Sequence, residues 1–414
     1  MEKVILHCDL NNFFASVEVI LNPELADKPI AVCGDPTKRH GIVLAKSEQA
    51  KKCGVKTGDV IWEAKQKCSD LVIVPATHGV YSRYSKAVCD IYYRYTDKVE
   101  AFGGDECWLD ITQSMKLLGK SGRGLDGGRE IADEIRETVK RELGLTLSVG
   151  VSWNKTFAKL GSDYKKPDAT TVISCDNYKQ FLWLQPVVNM LYVGRRSRQL
   201  FEKLGIATIG DLAMFDAELL KTHIGINANY LVACARGEDI GEVASFQKIR
   251  IVKSVGNGTT VPHDLKTFRQ AEQVIYLLSE EVAFRMRKKG FKGFTISLSI
   301  KSPEMTWVGA QESIREATNS VRTITENGTK IFKQLWHVSG EDMNPVRAIR
   351  VAVSNLTKDT RVQLSLFYDG ASEDKNDKIS KIFDNVRRKY GVESIYYGTL
   401  HKSDFNLHFD VCDE

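Results

Sequence analysis

The sequence predicts a multidomain α/β (α+β) protein whose first domain is built on a ferredoxin-like sheet. Three observations carry this expectation. A chain of 414 residues is longer than one compact core ordinarily organises, so two to four domains are expected. Residues 1–166 alternate strand-like and helix-like segments in a β-α-β-β-α-β rhythm, with a small subdomain inserted. A short-looped helical stretch follows, and beyond it strands and helices return.

Taken in order, Val4-Ile5-Leu6-His7-Cys8 is an apolar run with strand character, and Asp9 follows it directly. Next comes Leu10-Asn11-Asn12-Phe13-Phe14-Ala15-Ser16-Val17-Glu18. In an extended segment two adjacent aromatics cannot both face the core, which singles out one of Phe13 and Phe14 for another role. Residues 29–33 and 42–45 read as short strands, and residues 47–53 as a helix closed by Gly54. Residues 99–102 and 107–111 are β-rich runs joined across Gly103-Gly104, a doublet able to take positive φ in a tight turn. Asp105 and Glu106 therefore sit at a hairpin tip. Adjacent acids repel, and a hard divalent cation removes that penalty. Residues 128–143 carry Ile131, Ile135 and Val139 at helical spacing before Gly144, and residues 145–151 form a further strand. If the segments ending in Asp9 and in Asp105-Glu106 are neighbouring strands, three carboxylates converge. That set can hold two Mg²⁺ ions about 4 Å apart, an arrangement suited to in-line phosphoryl transfer.

Residues 177–237 read as short helices. Tyr192-Val193-Gly194-Arg195-Arg196-Ser197 is a candidate helix-hairpin-helix turn whose N–H groups, at Gly194 and Arg195, can meet a phosphate. A plain loop in a helical bundle accounts for the same residues. After a polar connector at 238–246, residues 294–300 and 349–353 alternate at period two, with helices at 267–289 and 320–335. The first of these helices ends in Arg285-Met286-Arg287-Lys288-Lys289-Gly290-Phe291-Lys292, five cations in eight residues. With Lys248, Arg250, Lys253 and Lys301 they suggest a patch that tracks phosphates rather than a merely solvated face. The net charge of +5 is too small to identify a partner by itself. Nine cysteines without a Cys-x-x-Cys pair argue against a disulfide framework or a zinc site, and for reduced thiols in the cytoplasm. No signal peptide or apolar run of membrane-spanning length is present, so no membrane span is expected.

Three segments taken together resemble the Y-family translesion DNA polymerases, most nearly the bacterial DNA polymerase IV type. They are residues 9–18, Asp105-Glu106-Cys107-Trp108-Leu109-Asp110, and Gly150-Val151-Ser152-Trp153-Asn154-Lys155-Thr156-Phe157-Ala158-Lys159, the last followed by Ser162-Asp163-Tyr164-Lys165-Lys166-Pro167. The resemblance implies a palm at 1–11 and 78–168, fingers at 12–77 and a helix-hairpin-helix thumb at 169–237. A linker at 238–247, a DNA-binding little finger at 248–361 and a tail at 362–414 complete it. It also implies template-directed addition of dNTPs to a primer 3′-hydroxyl, with low fidelity and no proofreading, past damaged DNA. Asp9, Asp105 and Glu106 look like the catalytic metal ligands, with the Leu10 carbonyl completing one shell. The implied cofactor is a pair of Mg²⁺ ions, for which Mn²⁺ or Ca²⁺ can substitute in binding. Phe14 aligns with the steric gate that excludes a ribose 2′-hydroxyl, and Phe13, Lys51 and Lys159 with the nucleotide site. Lys155 shares a helix face with Lys159 and is the weaker candidate.

Implied partners are primer-template DNA, dNTP and the bacterial sliding clamp, the chain acting as a monomer without membrane attachment. The clamp expectation rests on Gln363-Leu364-Ser365-Leu366-Phe367, which looks like the clamp-binding peptide and lies between the third region and a tail with its own helix at 378–389. The fingers depart from the family pattern: Ala45, Glu48 and Lys51 stand where members often have Thr, Tyr and Arg. Lys51 keeps a point charge without the guanidinium fork. Glu48 would repel a triphosphate and is expected to face elsewhere, with Lys46 or Lys52 substituting. Gly103-Gly104 replaces the more typical Ser-Ile, and Tyr192 stands at the first hairpin glycine. A GGDEF-like nucleotide cyclase is the alternative that Gly103-Gly104-Asp105-Glu106 allows. Those domains are far shorter and have no use for a basic third region.

Overall fold

Strand β1 (Ile5–Leu10) is buried along its whole length, so it can only lie inside a sheet covered on both faces. The chain then forms α1 (Phe13–Leu21), β2 (Ile30–Cys33), β3 (Val43–Lys46), α2 (Glu48–Lys52), α3 (Ile61–Lys67) and β4 (Val72–Pro75). These make a three-stranded sheet in the order β3-β2-β4, with its own small core around Val43, Ala50, Val55 and Leu71. Next come α4 (His78–Tyr92), β5 (Val99–Ala101), β6 (Glu106–Asp110), α5 (Gly124–Leu143), β7 (Leu147–Ser152), α6 (Lys155–Tyr164) and β8 (Thr170–Val172). The main sheet runs β5-β6-β1-β7-β8, and β1 is antiparallel to both neighbours. Its first four strands have the ferredoxin-like order, and β8 extends the edge parallel to β7.

Glycines set how closely helices approach this sheet. Helix α5 starts at Gly124, four residues before the expected start at Gly128, because Gly127 and Gly128 serve as contact points rather than as a boundary. A Cβ on Gly128 would come within 2.6 Å of Val4 Cγ1. Gly150 of β7 is tighter still: a Cβ there would lie 1.8 Å from the Ala158 carbonyl oxygen of α6. Gly161 of α6 faces the same point, its ideal Cβ 3.2 Å from the Gly150 Cα.

A second core follows, built from α7 (Tyr178–Phe181), α8 (Arg195–Lys203), α9 (Ile209–Met214), α10 (Ala217–Ile224) and α11 (Asn227–Arg236). Phe201, Ile209, Leu212, Leu220 and Leu231 fill it together with Phe157 and Leu160 of α6. The carbonyl of Gly237 then accepts from Trp153 Nε1 (3.0 Å) and Asn154 Nδ2 (3.1 Å), so the connector begins by docking on the first sheet's side. The structure is a computed structural model that describes residues 3–34, 41–239, 241–245, 251–358, 370–391 and 394–395; those up to 245 belong to one compact unit and those from 251 to another.

The second unit comprises β9 (Ser254–Thr267), α12 (Phe268–Lys288), β10 (Lys292–Lys301), β11 (Trp307–Thr318), α13 (Val321–Leu335), β12 (Val338–Ser339), β13 (Asp342–Thr357) and α14 (Gly370–Tyr390). The sheet runs β11-β10-β13, with β9 and β12 also paired to β13, and α12 and α13 bury their apolar faces in its core. The long strands β9 and β11 escape a hydropathy reading because they are rich in polar residues and mostly exposed or half-exposed. Helix α14 begins well before the expected 378 and is tied to α12 by two ion pairs, Arg287–Asp384 at 2.7 Å and Arg387–Glu280 at 2.9 Å. The Gln363–Phe367 motif, Lys248 and Arg250 lie outside the described residues. Among those described, no helix is long and apolar enough to cross a membrane.

Gly150→Ala is expected to destabilise the first unit by more than the ~1–3 kcal/mol of ordinary overpacking, because the obstruction is backbone that cannot yield. Thermal melting of the variant beside Gly104→Ala, whose Cβ meets open space, measures it.

Candidate active site

Register brings the three carboxylates together. Asp9 pairs across the sheet with Glu106, and the Leu10 amide donates to the Asp105 carbonyl at 3.0 Å, pinning the hairpin tip beside the end of β1. The turn itself closes through the Phe102 amide and the Glu106 carbonyl at 2.8 Å. Only Gly103 takes positive φ (+92°), so Gly104 is not required by backbone conformation.

Two lysines that follow β7 supply the counter-charge. Lys159 Nζ lies 2.6 Å from Glu106 Oε2. Lys166 Nζ bridges Asp9 Oδ2 (2.7 Å) and Asp163 Oδ1 (2.8 Å). Burial raises the pKa of Asp9 even against Lys166. Burial also raises that of Asp105, and the charges of Asp9 and Glu106 add to it. Glu106 goes the other way: burial opposes its ionisation, but the neighbouring His7 ring, the hydrogen bond from Lys159 and the lysine charge bring it down to about 2.

These are hard oxygen donors in a partly buried place that is short of positive charge, which is the chemistry a divalent cation requires. Among the described residues, no three His, Cys, Asp or Glu side chains already stand as a complete cation cage, since the lysines occupy carboxylate oxygens. The donor set fits the ion, and an incoming cation must displace an ammonium group.

The carboxylates open on a cavity of about 350 Å³. One wall is Leu10 to Phe13 and the other comes from Leu44, Ala45, Lys46, Glu48, Lys51 and Thr57. Glu48 thus faces the cavity, contrary to the sequence expectation. Its Oε1 accepts from Asn12 Nδ2 (3.0 Å) and Lys51 Nζ (3.4 Å), so neighbouring donors hold the carboxylate inward. Lys46 joins the wall, donating to Thr57 Oγ1 at 3.2 Å, and burial lowers its pKa. Lys52 is exposed and is not part of the wall.

Phe13 and Phe14 open helix α1 rather than continuing a strand, so the alternation argument for them does not apply. Asn12, with φ 50°, turns the chain between the two elements. Phe13 is buried and borders the cavity; Phe14 is half-buried and stacks on Tyr81 with centroids 4.0 Å apart and planes 10° apart. The Tyr81 hydroxyl donates to the Glu18 carboxylate and accepts from the Thr77 amide at 2.9 Å, which fixes the ring beneath Phe14. Lys155 is turned away from the cavity, paired with Glu100 at 2.8 Å and lying over Trp108.

The other sequence candidates divide. Gly194 caps α8 with Arg195 exposed behind it, and Tyr192 adopts φ +69°, the conformation a glycine would take without strain. In the second unit Lys253, Lys288 and Lys289 are exposed, Arg285 pairs with Glu281 at 2.6 Å, and Lys301 lies over the Trp307 ring. Arg287 is corrected: its guanidinium is largely buried against Asp384 and the Asn319 carbonyl, so it is not part of an exposed basic face. Sequence reasoning gave no role to His7, Asp163 or Lys166. The only signal was their place beside the recognised motifs.

The impB/mucB/samB family matches residues 8–163, and that family's C-terminal domain matches residues 252–366. A protein named DNA polymerase IV from Acetivibrio thermocellus is 45% identical over 401 residues, covering 97% of this chain and 98% of its own. One named DNA polymerase IV 2 from Bacillus subtilis is 36% identical over 401 residues, with 95% and 93% covered. A solved Y-family DNA polymerase chimera shares the fold at a TM-score of 0.73 and 22% identity, over 86% of this chain and 100% of that one.

The Glu106 shift has a consequence for acid stability. Its folded pKa lies below its unfolded value, so the ionised form stabilises the fold above about pH 4.5, and this contribution is lost as pH falls toward 2. Without divalent cations, Glu106→Gln is expected to lose melting temperature less steeply than the parent between pH 4.5 and 2.

Proposed function

This chain belongs to the impB/mucB/samB family, the Y-family DNA polymerases, and from that premise we propose that Asp9, Asp105 and Glu106 are its catalytic centre. It is a DNA-directed DNA polymerase of the translesion, DNA-repair class. The observation that carries the site assignment is the register of β1 with β6. It sets three carboxylates at one sheet end, facing a cavity whose wall includes Lys46, Lys51, Lys159 and Lys166. The cyclase alternative is overturned, because the family match continues through residues 252–366 and the relatives span nearly the whole chain.

In the proposed reaction the primer 3′-hydroxyl attacks the α-phosphorus of a dNTP, forming a phosphodiester and releasing pyrophosphate. Asp9, Asp105 and Glu106, with the Leu10 carbonyl, would hold two Mg²⁺ ions, whose chemistry would be to acidify the hydroxyl and to neutralise the pyrophosphate charge. Lys159, with Lys166, Lys51 and Lys46 beside it, binds the triphosphate. Phe14, held flat by its stack on Tyr81, presents an aromatic face to the sugar C2′ and excludes a ribose. Phe13 supports it from the core side. Gly194 and Arg195 contact the DNA backbone, as do Lys253, Arg285, Lys288, Lys289 and Lys301 of the second unit. Residues 363–367 bind a bacterial sliding clamp. The enzyme acts in the cytoplasm as a monomer.

Primer extension with Mg²⁺ and single dNTPs tests the reading. The parent is expected to add the templated nucleotide, and the Asp105→Ala, Glu106→Ala double variant to lose at least about 10³-fold, leaving DNA binding intact. Equal rates in both would remove these residues from the chemistry. Phe14→Ala is expected to raise incorporation of ribonucleotides relative to dNTPs. Unchanged sugar selectivity would pass the gate to another side chain.

A further inference from the structure

We propose that His7 is a positioning residue for Glu106, its unbonded Nε2 poised to take up the catalytic carboxylate when Lys159 leaves it, while Ser162 holds the imidazole. The inference rests on the polymerase reading of the site and adds a residue to it.

His7 is 0% exposed and lies on the face of the sheet that α6 covers. Its cross-strand partners are Trp108 on β6 and Gly150 on β7, the glycine over which α6 makes its closest approach. Glu106 is its diagonal neighbour on the same face. An aliphatic side chain would fill this space at no polar cost, whereas a buried imidazole must satisfy two nitrogens. One is settled: Nδ1 lies 2.8 Å from Ser162 Oγ. The other, Nε2, is buried without a hydrogen bond, and the nearest carboxylate oxygen is Glu106 Oε2 at 3.3 Å.

The tautomer follows from the partners. An ionised carboxylate only accepts, so the ring proton belongs on Nε2 and Nδ1 is the acceptor. Ser162 Oγ donates to the Lys159 carbonyl at 2.8 Å and lies 2.8 Å from Nδ1, so in this tautomer the hydroxyl turns its single proton from the carbonyl to the ring. Helix α6 therefore grips Glu106 directly through Lys159 Nζ at 2.6 Å, and through Ser162 it sets the His7 ring 3.3 Å behind the same oxygen as a second hold. Both nitrogens approach Oε2.

The two grips are not equivalent. Lys159 is the group a triphosphate draws away, and His7 is the one that stays. A contact of 3.3 Å is long for a hydrogen bond and shortens when the lysine leaves and the carboxylate carries its charge alone. Partners behind a metal ligand are worth roughly 10–100-fold in ion affinity or activity.

The test compares the parent, His7→Leu, which keeps the volume, and His7→Gln, which keeps a donor. Mn²⁺ binding is followed by electron paramagnetic resonance with primer-template and a non-hydrolysable dNTP; primer-extension kcat and KM and thermal melting are measured beside it. His7→Leu is expected to melt no lower than the parent. It should bind Mn²⁺ about tenfold or more weakly and lose kcat to a similar degree, with KM for dNTP little changed. His7→Gln should recover most of both. Parent-like Mn²⁺ affinity and kcat in His7→Leu would overturn the proposal and make His7 a space-filling residue. If His7→Leu does not fold, Ser162→Ala, which leaves β1 intact, should show a smaller loss in the same direction, and no loss there would overturn it equally. A parent that extends no primer would sink the polymerase reading, while the Mn²⁺ arm still decides the role of His7.

Discussion

Nothing larger than a hydrogen atom fits on Gly150, and the architecture of the site follows from that. Helix α6 lies directly on β7 because the Ala158 carbonyl occupies the space a side chain would need. Its other face sends Phe157 and Leu160 into the helical core of residues 178–236, so the helix is fixed from both sides. A helix clamped in this way delivers Lys159 and Ser162 to the sheet without freedom to slide. The first acts on Glu106 and the second on His7. Close backbone packing is thus what permits ångström-level placement of a charge next to a carboxylate.

The carboxylates themselves are held in opposing states. Burial raises Asp9 and Asp105, while Glu106 is kept strongly acidic by neighbours, Lys159 and His7, that reach neither of the other two. The asymmetry comes from the register: Glu106 sits under α6, whereas Asp105 is at the tip with its carbonyl used to anchor Leu10. Asp163, half exposed at the rim, lies 2.8 Å from Lys166 and 3.8 Å from Lys159, and so tempers both ammonium groups.

Much of this was legible in the sequence, for physical reasons that differ by element. An apolar run ending in Asp9 and a β-rich hairpin with acids at its tip each signal their own backbone, so the sheet and its converging carboxylates could be anticipated. The direction of a side chain in a loop or short helix has no such local signature. Glu48 was expected to turn outward, and only the position of Asn12 shows why it does not. Phe13 and Phe14 were read as strand residues because two β-formers in a row outweighed the turn that Asn12 makes at φ 50°. Arg287 looked like part of a charge run until α14 supplied Asp384 from 97 positions along the chain. Strands β9 and β11 were missed because polar residues such as Glu312 and Glu316 stand at half-buried positions, so alternation in burial leaves no alternation in hydropathy. Lys166 was visible as a residue but not as a partner of Asp9, since long-range pairing leaves no trace in spacing.

The shared lysines carry a thermodynamic consequence. Lys159 and Lys166 neutralise Glu106 and Asp9 in the absence of any ligand. A polyanion that recruits these ammonium groups leaves two bare carboxylates, whose affinity for cations rises by the same free energy. Coupling of this kind is reciprocal, so a cation that arrives first loosens the lysines and strengthens the hold on the polyanion. Cooperativity of this origin needs no hinge or domain movement, because the ammonium groups that would bind one ligand are those that screen the other. In charge terms the pocket is built like an ion exchanger, with each ammonium group seated on a carboxylate until an opposite charge takes its place.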